Sequence, residues 1–492
     1  MIDITAQVAA ALRGDPDTAL FDYQGRAWTR AQVAALATRV TALLDQAGVG
    51  PDDAVGVVVR NRPQHAAAML GLISSRRAMT TLYAMQSPEA LARDVREGGF
   101  AAIIADTRDW SDPVRTAADG LLGIRLAADG TADLVPGRDR IGPGPFRHFT
   151  AEPGIEILSS GTTGKPKRIL FPFRMLVRAV ESVTAGHNDA VPEPEILTWP
   201  YGGIGGMCNL VASAVIGRHT TLFDKFNVAE WADAVRRRRP RWVSGPPAVA
   251  RMVLDAQVPK EDLASVECFY GGGAPMPPAL QTEFEETYGI KVIWAYGATE
   301  FCGTVVSWTP ALYERYRDAK LGAMGKALPG ISLRVVDTVT GAPLPADREG
   351  YLEALVPAVS ADWIRTTDLA LIDADGFVFH RGRGDGAILR GGFKVLPEKV
   401  AAVLQSHPAV LDAAVVGLAD HRLGQVPVAA VEARAGMPVP TEADLLALAR
   451  RELVAHHVPI RVRVMEALPR TASLKVDLAA VRRLFEEETI HG

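Results

Sequence analysis

Short apolar runs that alternate with helix-length amphipathic segments are the feature that most constrains the fold of this chain. Residues 29–47 carry apolar side chains at helical spacing, and the apolar run 54–59 follows after a turn. Residues 61–75 are typical of a second helix, and the alternation returns around the apolar runs 101–106 and 242–245. Helices that flank short buried strands in this rhythm predict an α/β protein with a largely parallel sheet.

The pattern changes in the last third of the chain. From about residue 320, short strand-like runs are separated by turns rich in Gly, Pro and Asp, which predicts a mixed β region. The segment 382–392 contains five glycines and marks a natural boundary to an α+β tail. We therefore expect a large domain over residues 1–384 and a small domain over residues 385–492.

Composition excludes several classes of function. The chain has 492 residues and a net charge of −4, which argues against a surface built for nucleic acid or anionic membranes. Its three cysteines, Cys208, Cys268 and Cys302, are scattered, which favours a reduced, cytoplasmic protein without a disulfide framework. No apolar run reaches the roughly 18 residues of a membrane span, and the first residues lack the pattern of a secretion signal. Both a monomer and a homodimer remain open.

The most informative segment is the run LSSGTTGKPK at residues 158–167. Glycines let backbone N–H groups approach an anion, hydroxyls donate to its oxygens, and lysines neutralise its charge. A triphosphate requires all three. Pro166 stands where a Walker A loop needs Ser or Thr, so the segment is not a Walker A loop. By composition alone it is either an ordinary turn rich in Ser, Thr and Gly or a phosphate loop of another kind.

Five further segments accompany this run in the order of a known family. They are GGGAP at 271–275, YGATE at 296–300, WIRTTD at 363–368, GRGD at 382–385 and PRTASLK at 469–475. Together the six segments resemble those of the adenylate-forming superfamily, which includes acyl- and aryl-CoA ligases. The resemblance implies a large domain with parallel-rich sheets in an αβαβα arrangement, a β-barrel-like subdomain, and a small mobile α+β domain.

Adenylation joins two anions, a carboxylate and the α-phosphate of ATP, so cationic stabilisation is its main chemical demand. The resemblance implies that Glu300 holds Mg²⁺, a hard cation that prefers oxygen ligands, and that Thr299 contacts the α-phosphate. Lys475 would be the catalytic lysine that bridges carboxylate and phosphate. The remaining phosphates would be wrapped by the loop residues Ser159, Ser160, Gly161, Thr162, Thr163, Gly164, Lys165 and Lys167.

The nucleoside of ATP would lie against other segments by the same resemblance. Asp368 would accept both ribose hydroxyls, and Arg383 would reach the ribose as well. Tyr296 would offer a flat face to adenine. The backbone beside the base would be that of Gly272, Gly273, Ala274, Pro275 and Gly297.

The resemblance also implies a second half-reaction with coenzyme A. Asp385 matches the hinge about which the small domain of the family rotates after adenylation, and flanking glycines suit such a pivot. Rotation would withdraw Lys475 and bring another face to the site for thioester formation. That face would be formed by Gly391, Gly392, Phe393 and Lys394. ATP, Mg²⁺ and coenzyme A are therefore the expected cofactors.

Several positions depart from the family pattern. Arg168, Thr367 and Leu474 each stand where glycine is usual, and none of these changes removes a charged reacting group. Gly202 and Gly203 align with an aromatic residue and a histidine that many related ligases place beside the substrate carboxylate. Either local packing requires glycine there, or the pocket is widened for a bulky acid. Candidate pocket residues are Trp199, Tyr201, Gly203, Met207, Gly271, Ala298 and Phe301.

The sequence therefore predicts an AMP-forming acid:CoA ligase for a bulky hydrophobic acid, whether fatty, aryl or polycyclic. An enzyme that loads the activated acid onto a separate carrier protein is the alternative, because its adenylation step would be the same. Luciferase-like oxidation is a more distant possibility. A non-catalytic nucleotide-binding protein would have to carry all these charged groups without using them.

Overall fold

The computed structural model describes residues 3–149, 152–158, 168–184, 192–384, 386–390, 393–420, 423–471 and 474–490. Contacts between residues divide the chain into two compact units. The first unit takes in the described residues up to Leu321 together with 357–361. The second takes in the described residues of 322–356 and 362–492. The predicted boundary between residues 384 and 385 concerns domain movement and stays a prediction.

The first unit alternates strands and helices along the chain. Its strands are β1 (Ala19–Tyr23), β2 (Arg26–Thr29), β3 (Val55–Val59), β4 (Met79–Tyr83), β5 (Ala102–Asp106), β6 (Leu122–Leu126), β7 (Ala132–Leu134), β8 (Gly154–Leu158), β9 (Arg168–Pro172), β10 (Glu195–Ile196), β11 (Thr220–Leu222), β12 (Trp242–Gly245), β13 (Cys268–Gly271), β14 (Lys291–Ala298) and β15 (Gly303–Ser307).

Eleven α-helices and four short 3₁₀ turns are described in the same unit. The helices are α1 (Ile4–Leu12), α2 (Arg30–Gln46), α3 (Pro63–Ser74), α4 (Pro88–Glu97), α5 (Asp112–Ala117), α6 (Val177–Thr184), α7 (Ile204–Ile216), α8 (Val228–Arg238), α9 (Pro247–Asp255), α10 (Pro278–Tyr288) and α11 (Pro310–Tyr316). The 3₁₀ turns are Thr107–Asp109, Phe173–Leu176, Lys260–Leu263 and Thr299–Phe301.

The largest sheet has the strand order β7-β6-β5-β3-β4-β8-β9. Its central pairs, from β6 through β8, are parallel, and the two edge strands β7 and β9 run antiparallel. All five residues of β3 and all five of β5 are buried, because helices cover a parallel sheet on both faces. The prediction of a parallel-rich α/β unit is therefore confirmed.

Helix α2 shows how the sequence sets these elements. Thr29 and Gln32 form a reciprocal capping box that satisfies the free N–H groups of the first turn. Ala37 is buried, and so are all five residues whose spacing predicts the helix: Val33, Leu36, Val40, Leu43 and Leu44. Local capping and apolar spacing therefore agree about where this helix begins and which face it buries.

Two more sheets complete the first unit. One has the order β10-β11-β1-β2. In the other, β12, β13 and β14 are parallel neighbours, and β15 pairs antiparallel with β14. Gly245, Gly271 and Trp294 lie side by side in the register of this sheet. The carboxyl ends of its parallel strands therefore meet at one edge.

The second unit contains two antiparallel-rich sheets. Its strands are β16 (Lys326–Ala327), β17 (Ser332–Val336), β18 (Gly350–Leu355), β19 (Ile364–Ile372), β20 (Val378–Arg383), β21 (Ile388–Arg390), β22 (Phe393–Val395), β23 (Val410–Asp420), β24 (Gly424–Ala433) and β25 (Val462–Met465), and its helices are α12 (Pro397–Gln405), α13 (Glu442–Glu452) and α14 (Leu478–Ile490).

The first of these sheets has the order β17-β18-β19-β20, with all pairs antiparallel. It is an open sheet, and the described residues contain no closed barrel, which refines the expectation of a β-barrel-like subdomain. Four strands are too few to close on themselves. The second sheet has the order β22-β21-β24-β23, with β25 parallel to β24.

Helix α13 differs from its predicted extent. Apolar spacing alone predicts a helix over residues 445–458, but the helix starts earlier, because Thr441 and Asp444 form a capping box. It ends at Glu452, and Leu453 is extended with φ −118° and ψ 151°. The apolar residues after it were therefore misread as a continuing helix face.

Candidate active site

The carboxyl edge of β12, β13 and β14 gathers two of the six motif segments and the glycine-rich segment 199–206. Ligands of open α/β sheets bind outside the carboxyl ends of parallel strands. The segment 271–275 leaves β13 at this edge, and 296–300 forms the end of β14 and the turn after it. The segment 199–206 joins them, since the Thr198 hydroxyl donates to the carbonyl oxygen of Ser244 over 2.7 Å. The first unit thus brings these segments to one side of the sheet.

Asn61 anchors the backbone of the segment 199–206. Its side-chain amide donates to the carbonyl oxygen of Trp199 over 3.0 Å and accepts from the backbone N–H of Tyr201 over 2.8 Å. The Thr81 hydroxyl donates to the carbonyl oxygen of Gly202 over 3.2 Å. These contacts fix a loop that has no sheet partner of its own. No motif in the sequence marks Asn61 as a site residue. It stands two residues after the end of the buried strand β3.

Gly202 and Gly203 are half-buried and are not tightly packed. A Cβ atom at Gly202 would come no closer than 3.8 Å to another atom, and one at Gly203 no closer than 3.7 Å. Gly203 has φ −106° and ψ 166°, a conformation that any residue adopts. Packing therefore does not require glycine at either position.

Gly206, one helical turn further, is the opposite case. A Cβ atom there would overlap the carbonyl group of Pro200 and the backbone nitrogen of Tyr201. Both obstacles are backbone atoms, so the N-terminal turn of α7 can pack here only with glycine. Of the two interpretations offered for Gly202 and Gly203, these distances do not support a packing requirement for glycine, and the widened pocket stays a prediction. Gly206 is the glycine of this segment that backbone packing does require.

The aromatic residues of this segment lie in different surroundings. The Trp199 indole is half-buried, and its N–H donates to the Ser244 hydroxyl over 3.1 Å. Tyr201, Met207 and Phe301, by contrast, are at most 1% exposed. Burial, aided by the negative charge of Glu195, raises the pKa of Tyr201 well above its ordinary value. These three side chains belong to the core beneath the edge, and their assignment to an acid pocket stays a prediction.

Gly271 and Gly272 permit close packing at the end of β13. A Cβ atom at Gly271 would overlap the ring of Trp294, its register neighbour on β14. A Cβ atom at Gly272 would lie 3.0 Å from the carbonyl oxygen of Ala295. Gly273 has φ +76°, in the region that favours glycine, and it is exposed together with Pro275. The exposed backbone at 273–275 is thus accessible to a ligand. At Gly271, by contrast, the Trp294 ring occupies the space that a side chain would take.

The segment 296–300 ends in a tight turn. Gly297 lies so close to the backbone of Gly303 that a Cβ atom would overlap its carbonyl oxygen. Ala298 precedes the 3₁₀ turn Thr299–Phe301, which leaves Thr299 half-buried and Glu300 exposed. The Tyr296 ring meets the Phe301 ring edge-on, with 6.4 Å between ring centroids. The turn therefore presents a hydroxyl and a carboxylate side by side.

In the second unit, β19 and β20 place Asp368 opposite Arg383 in register. The Asp368 carboxylate lies 3.8 Å from Arg383 Nε and 3.7 Å from His380 Nε2. Arg383 also donates to the Thr367 hydroxyl over 2.7 Å. Thr367, which stands where the family has glycine, thus holds the arginine predicted to reach the ribose.

Lys475 belongs to the same electrostatic group. Its side chain is exposed to solvent at one side. The surrounding protein reduces its hydration and lowers the pKa of Lys475, and the positive charge of Arg383 acts in the same direction. The negative charge of Asp368 opposes this shift. The second unit therefore brings together the predicted ribose acceptor and the predicted catalytic lysine.

Some predicted residues lie outside the described ranges. For Phe393 and Lys394 only the backbone, in β22, is described. The others are the phosphate loop Ser159, Ser160, Gly161, Thr162, Thr163, Gly164, Lys165 and Lys167, the hinge residue Asp385, and Gly391 and Gly392. Among described residues, no three His, Cys, Asp or Glu side chains are grouped as a preformed metal site.

Comparison with known proteins agrees with this geometry. The sequence profile described as AMP-binding enzyme matches residues 8–360, and the profile of the AMP-binding enzyme C-terminal domain matches residues 399–475. The chain belongs to the AMP-binding enzyme family. The second match ends at Lys475, so the lysine predicted to be catalytic lies within the family's C-terminal domain.

Relatives of this AMP-binding enzyme include two CoA ligases. It is 28% identical over 493 residues to 4-coumarate–CoA ligase 3 of Oryza sativa subsp. japonica, covering 92% of this chain and 86% of that protein. It is 30% identical over 356 residues to a 2-succinylbenzoate–CoA ligase of Bacillus mycoides, covering 69% of this chain and 72% of that protein.

Solved structures share the fold of this AMP-binding enzyme. ATP-bound MatB from Rhodopseudomonas palustris matches with a TM-score of 0.83 and 22% identity over 98% of this chain and 99% of that chain. The o-succinylbenzoate CoA synthetase of Bacillus subtilis, in complex with its acyl-adenylate intermediate, matches with a TM-score of 0.78 and 22% identity, covering 97% of this chain and 98% of that chain. In the described part of this chain, no helix is long and apolar enough to cross a membrane.

Proposed function

We propose that this AMP-binding enzyme is an AMP-forming acid:CoA ligase for a bulky hydrophobic carboxylic acid. An oxygen of the acid attacks the α-phosphorus of ATP, the bond between the α- and β-phosphates breaks, and pyrophosphate leaves. The thiol of coenzyme A then attacks the acyl carbon, its proton passes to solvent, and AMP leaves as the thioester forms. The observation that carries the proposal is the group of Asp368, Arg383 and Lys475 in one unit.

The chemistry of this group suits adenylation. A carboxylate can accept hydrogen bonds from two ribose hydroxyls, and two cations beside it can offset the charge of the α-phosphate. Lys475 would be the cation that bridges the acid carboxylate and the α-phosphate. The family membership and the two CoA ligase relatives support the same reaction.

Magnesium fits the exposed carboxylate of Glu300. Mg²⁺ is commonly held by one or two carboxylates together with substrate phosphates, so a preformed cage of protein ligands is not required. When bound, the ion offsets the negative charge of the phosphates. Thr299 beside it offers a hydroxyl to the α-phosphate, and the exposed backbone at 273–275 offers a surface to the adenine.

The preference for a bulky acid rests on Gly202 and Gly203. A Cβ atom at these positions would meet its nearest neighbours at ordinary contact distances of 3.8 and 3.7 Å, so packing does not require glycine there. We assign the space that a larger side chain would take to the acid. The half-buried Trp199 supplies an apolar wall nearby. Coenzyme A is favoured over a carrier protein as acceptor, since both relatives named above are CoA ligases.

A panel of carboxylic acids in a pyrophosphate-release assay tests the proposal. The panel includes acetate, a polar amino acid, a medium-chain fatty acid, an aryl acid and a polycyclic acid, each with and without coenzyme A. We expect release with the bulky apolar acids and acyl-CoA formation when coenzyme A is present. Preference for acetate or the amino acid would refute the substrate class, and transfer to a carrier protein without free acyl-CoA would refute the acceptor.

Lys475→Ala tests the role of the lysine, with Lys399→Ala as a matched control on the same unit. Removing one contact to the charge that develops in the transition state should lower acid-dependent pyrophosphate exchange on the order of 10²-fold or more. Thioester formation from supplied acyl-adenylate should be spared, and Lys399→Ala should alter neither step. A mild effect of Lys475→Ala on exchange would contradict the assignment.

A further inference from the structure

The loop that carries Lys475 contains a residue in an unfavourable conformation. Leu474 has φ +60°, a region that costs a residue with a side chain about 1–2 kcal/mol. Two backbone hydrogen bonds close the loop: Thr471 N–H donates to the Lys475 carbonyl over 2.7 Å, and Leu474 N–H donates to the Thr471 carbonyl over 2.9 Å. Because Leu474 adopts this unfavourable backbone conformation, the loop requires stabilising contacts from other parts of the chain.

Arg470 connects this loop to the adjacent hairpin. One guanidinium nitrogen donates to the carbonyl oxygen of Leu474 over 3.4 Å. The other donates to Asp412 Oδ2 over 2.7 Å and to Glu432 Oε2 over 3.1 Å. One guanidinium nitrogen of Arg470 therefore binds the backbone of the residue before Lys475, and the other binds two carboxylates.

The two carboxylates are themselves arranged for a cation. Asp412 on β23 and Glu432 on β24 are direct register partners in an antiparallel pair. Like charges directly opposite each other destabilise such a pair, and the charge of Arg470 offsets this repulsion. Gln405 donates to Asp412 over 3.0 Å and the Leu468 N–H donates to Glu432 over 3.0 Å, which orients both carboxylates.

The three charged side chains are shielded from solvent more than ordinary surface pairs. Their exposed fractions are 28% for Arg470, 25% for Asp412 and 12% for Glu432. Shielding and charge-assisted geometry make their hydrogen bonds stronger and more directional than those of exposed pairs. These hydrogen bonds therefore fix the position of the loop relative to the β23–β24 hairpin.

We propose that Arg470, Asp412 and Glu432 form a clamp that positions Lys475 for the adenylation step. All three are positioning residues that act through the backbone of Leu474. A displacement of about 1 Å in a reacting group can cost on the order of 10²-fold in rate. The inference rests on the proposed function, because the step that suffers is the half-reaction assigned to Lys475.

A purely structural brace would behave differently from this clamp. Loss of a brace would lower the stability of the small α+β region and slow both half-reactions together. Loss of a positioning clamp would slow adenylation and spare thioester formation. Arg470→Gln serves as the first variant. Arg451→Gln is the matched control, since Arg451 pairs with Glu452 at an exposed site on α13.

The first experiment measures Lys475 directly and requires no substrate. Trace labelling with acetic anhydride at several pH values, followed by mass spectrometry, gives the pKa of Lys475 from its rate of acetylation. We expect a pKa below that of free lysine in the parent chain, because reduced hydration and Arg383 both lower it. In Arg470→Gln a looser loop should admit water, and the pKa of Lys475 should move upward. In Arg451→Gln it should stay unchanged.

The second experiment compares the two half-reactions with an acid selected by the panel. Arg470→Gln should lower pyrophosphate exchange by about tenfold to 100-fold, with thioester formation from supplied acyl-adenylate within about twofold of the parent rate. If Arg470→Gln fails to fold, Asp412→Asn combined with Glu432→Gln replaces it. That double variant removes the repulsion between the strands, so a structural brace is no longer needed, yet the anchor of Arg470 is weakened.

The outcomes separate the two proposals. A raised Lys475 pKa together with a selective loss of exchange supports the clamp. An unchanged labelling profile, or an equal loss in both half-reactions, overturns it. If no acid gives exchange even in the parent chain, the proposed function fails, while the labelling profile still decides whether Arg470 positions Lys475.

Discussion

Two pairs of glycines in the first unit differ in packing: Gly206 and Gly271 are tightly packed, whereas Gly202 and Gly203 are not. At Gly206 and Gly271 a Cβ atom would overlap the backbone of Pro200 or the ring of Trp294. At Gly202 and Gly203 the nearest atoms would lie at ordinary contact distance or beyond. Tight packing thus requires glycine at one position and does not require it a few residues away. A departure from a family pattern acquires meaning only when its surroundings are known.

Gly206→Ala should give the largest effect on stability. Its obstacles are backbone atoms, which cannot rotate away, so we expect destabilisation of about 3 kcal/mol. The midpoint of urea denaturation measures this effect. Gly202→Ala, a matched change with free space around it, should stay within about 0.5 kcal/mol of the parent. Equal losses of stability in the two variants would show that Gly206 is not packed more tightly than Gly202.

Gly271→Ala should come next, with a loss of about 1–3 kcal/mol from overpacking against Trp294. Here the obstacle is a side chain, so Trp294→Leu in the same chain should make room for the new methyl group. The two substitutions should therefore be less harmful together than the sum of their separate effects. Thermal unfolding of both single variants and the double variant gives the coupling, and strict additivity would show that ring and glycine do not meet.

Gly203→His should change substrate preference more than stability. The imidazole would occupy space that we assign to the acid, and such a change in a hydrophobic pocket shifts discrimination by about 1–3 kcal/mol. The ratio of kcat/KM for a polycyclic acid over a short aryl acid should fall at least about tenfold. Ala443→His, at an exposed position on α13, is the control for a surface histidine. An unchanged ratio would mean that the open space does not receive the acid.

Leu474→Gly should give the smallest effect and of opposite sign. At Leu474 a residue with a side chain occupies a position with φ +60°, a conformation that favours glycine. Relief of that strain should stabilise the chain by about 1 kcal/mol or less, since the added freedom of the unfolded glycine offsets part of the gain. Leu474→Ala retains the strained Cβ and should give no such gain. Chemical denaturation of the two variants distinguishes them.

Local patterns predicted much of the fold. The buried face of α2 and the bounds of β12 follow from apolar spacing and from the turns beside them. Where the prediction missed, a local signal had been outweighed. Apolar residues after Glu452 continued the helical pattern of α13, but Leu453 turns to an extended conformation. Helix ends are set by capping and by packing partners, which the periodicity of apolar residues does not encode.

The candidate site likewise contains residues that the sequence motifs predict and residues that only the structure reveals. Asp368, Arg383 and Lys475 were predicted from motif residues, and the second unit brings them together. Thr367 had been noted only as a departure from glycine, yet its hydroxyl holds Arg383. Asn61, which fixes the loop at Trp199 and Tyr201, was missed because its partners lie about 140 residues away.

The sequence by itself determined the alternating strands and helices, the order of the six motif segments and the identity of the charged residues. These features depend on neighbours along the chain and on side-chain chemistry. Only the tertiary structure decided which glycines are tightly packed, and that Arg470 reaches Asp412, 58 residues away. Such contacts arise where distant segments meet, so no local pattern in the sequence can specify them.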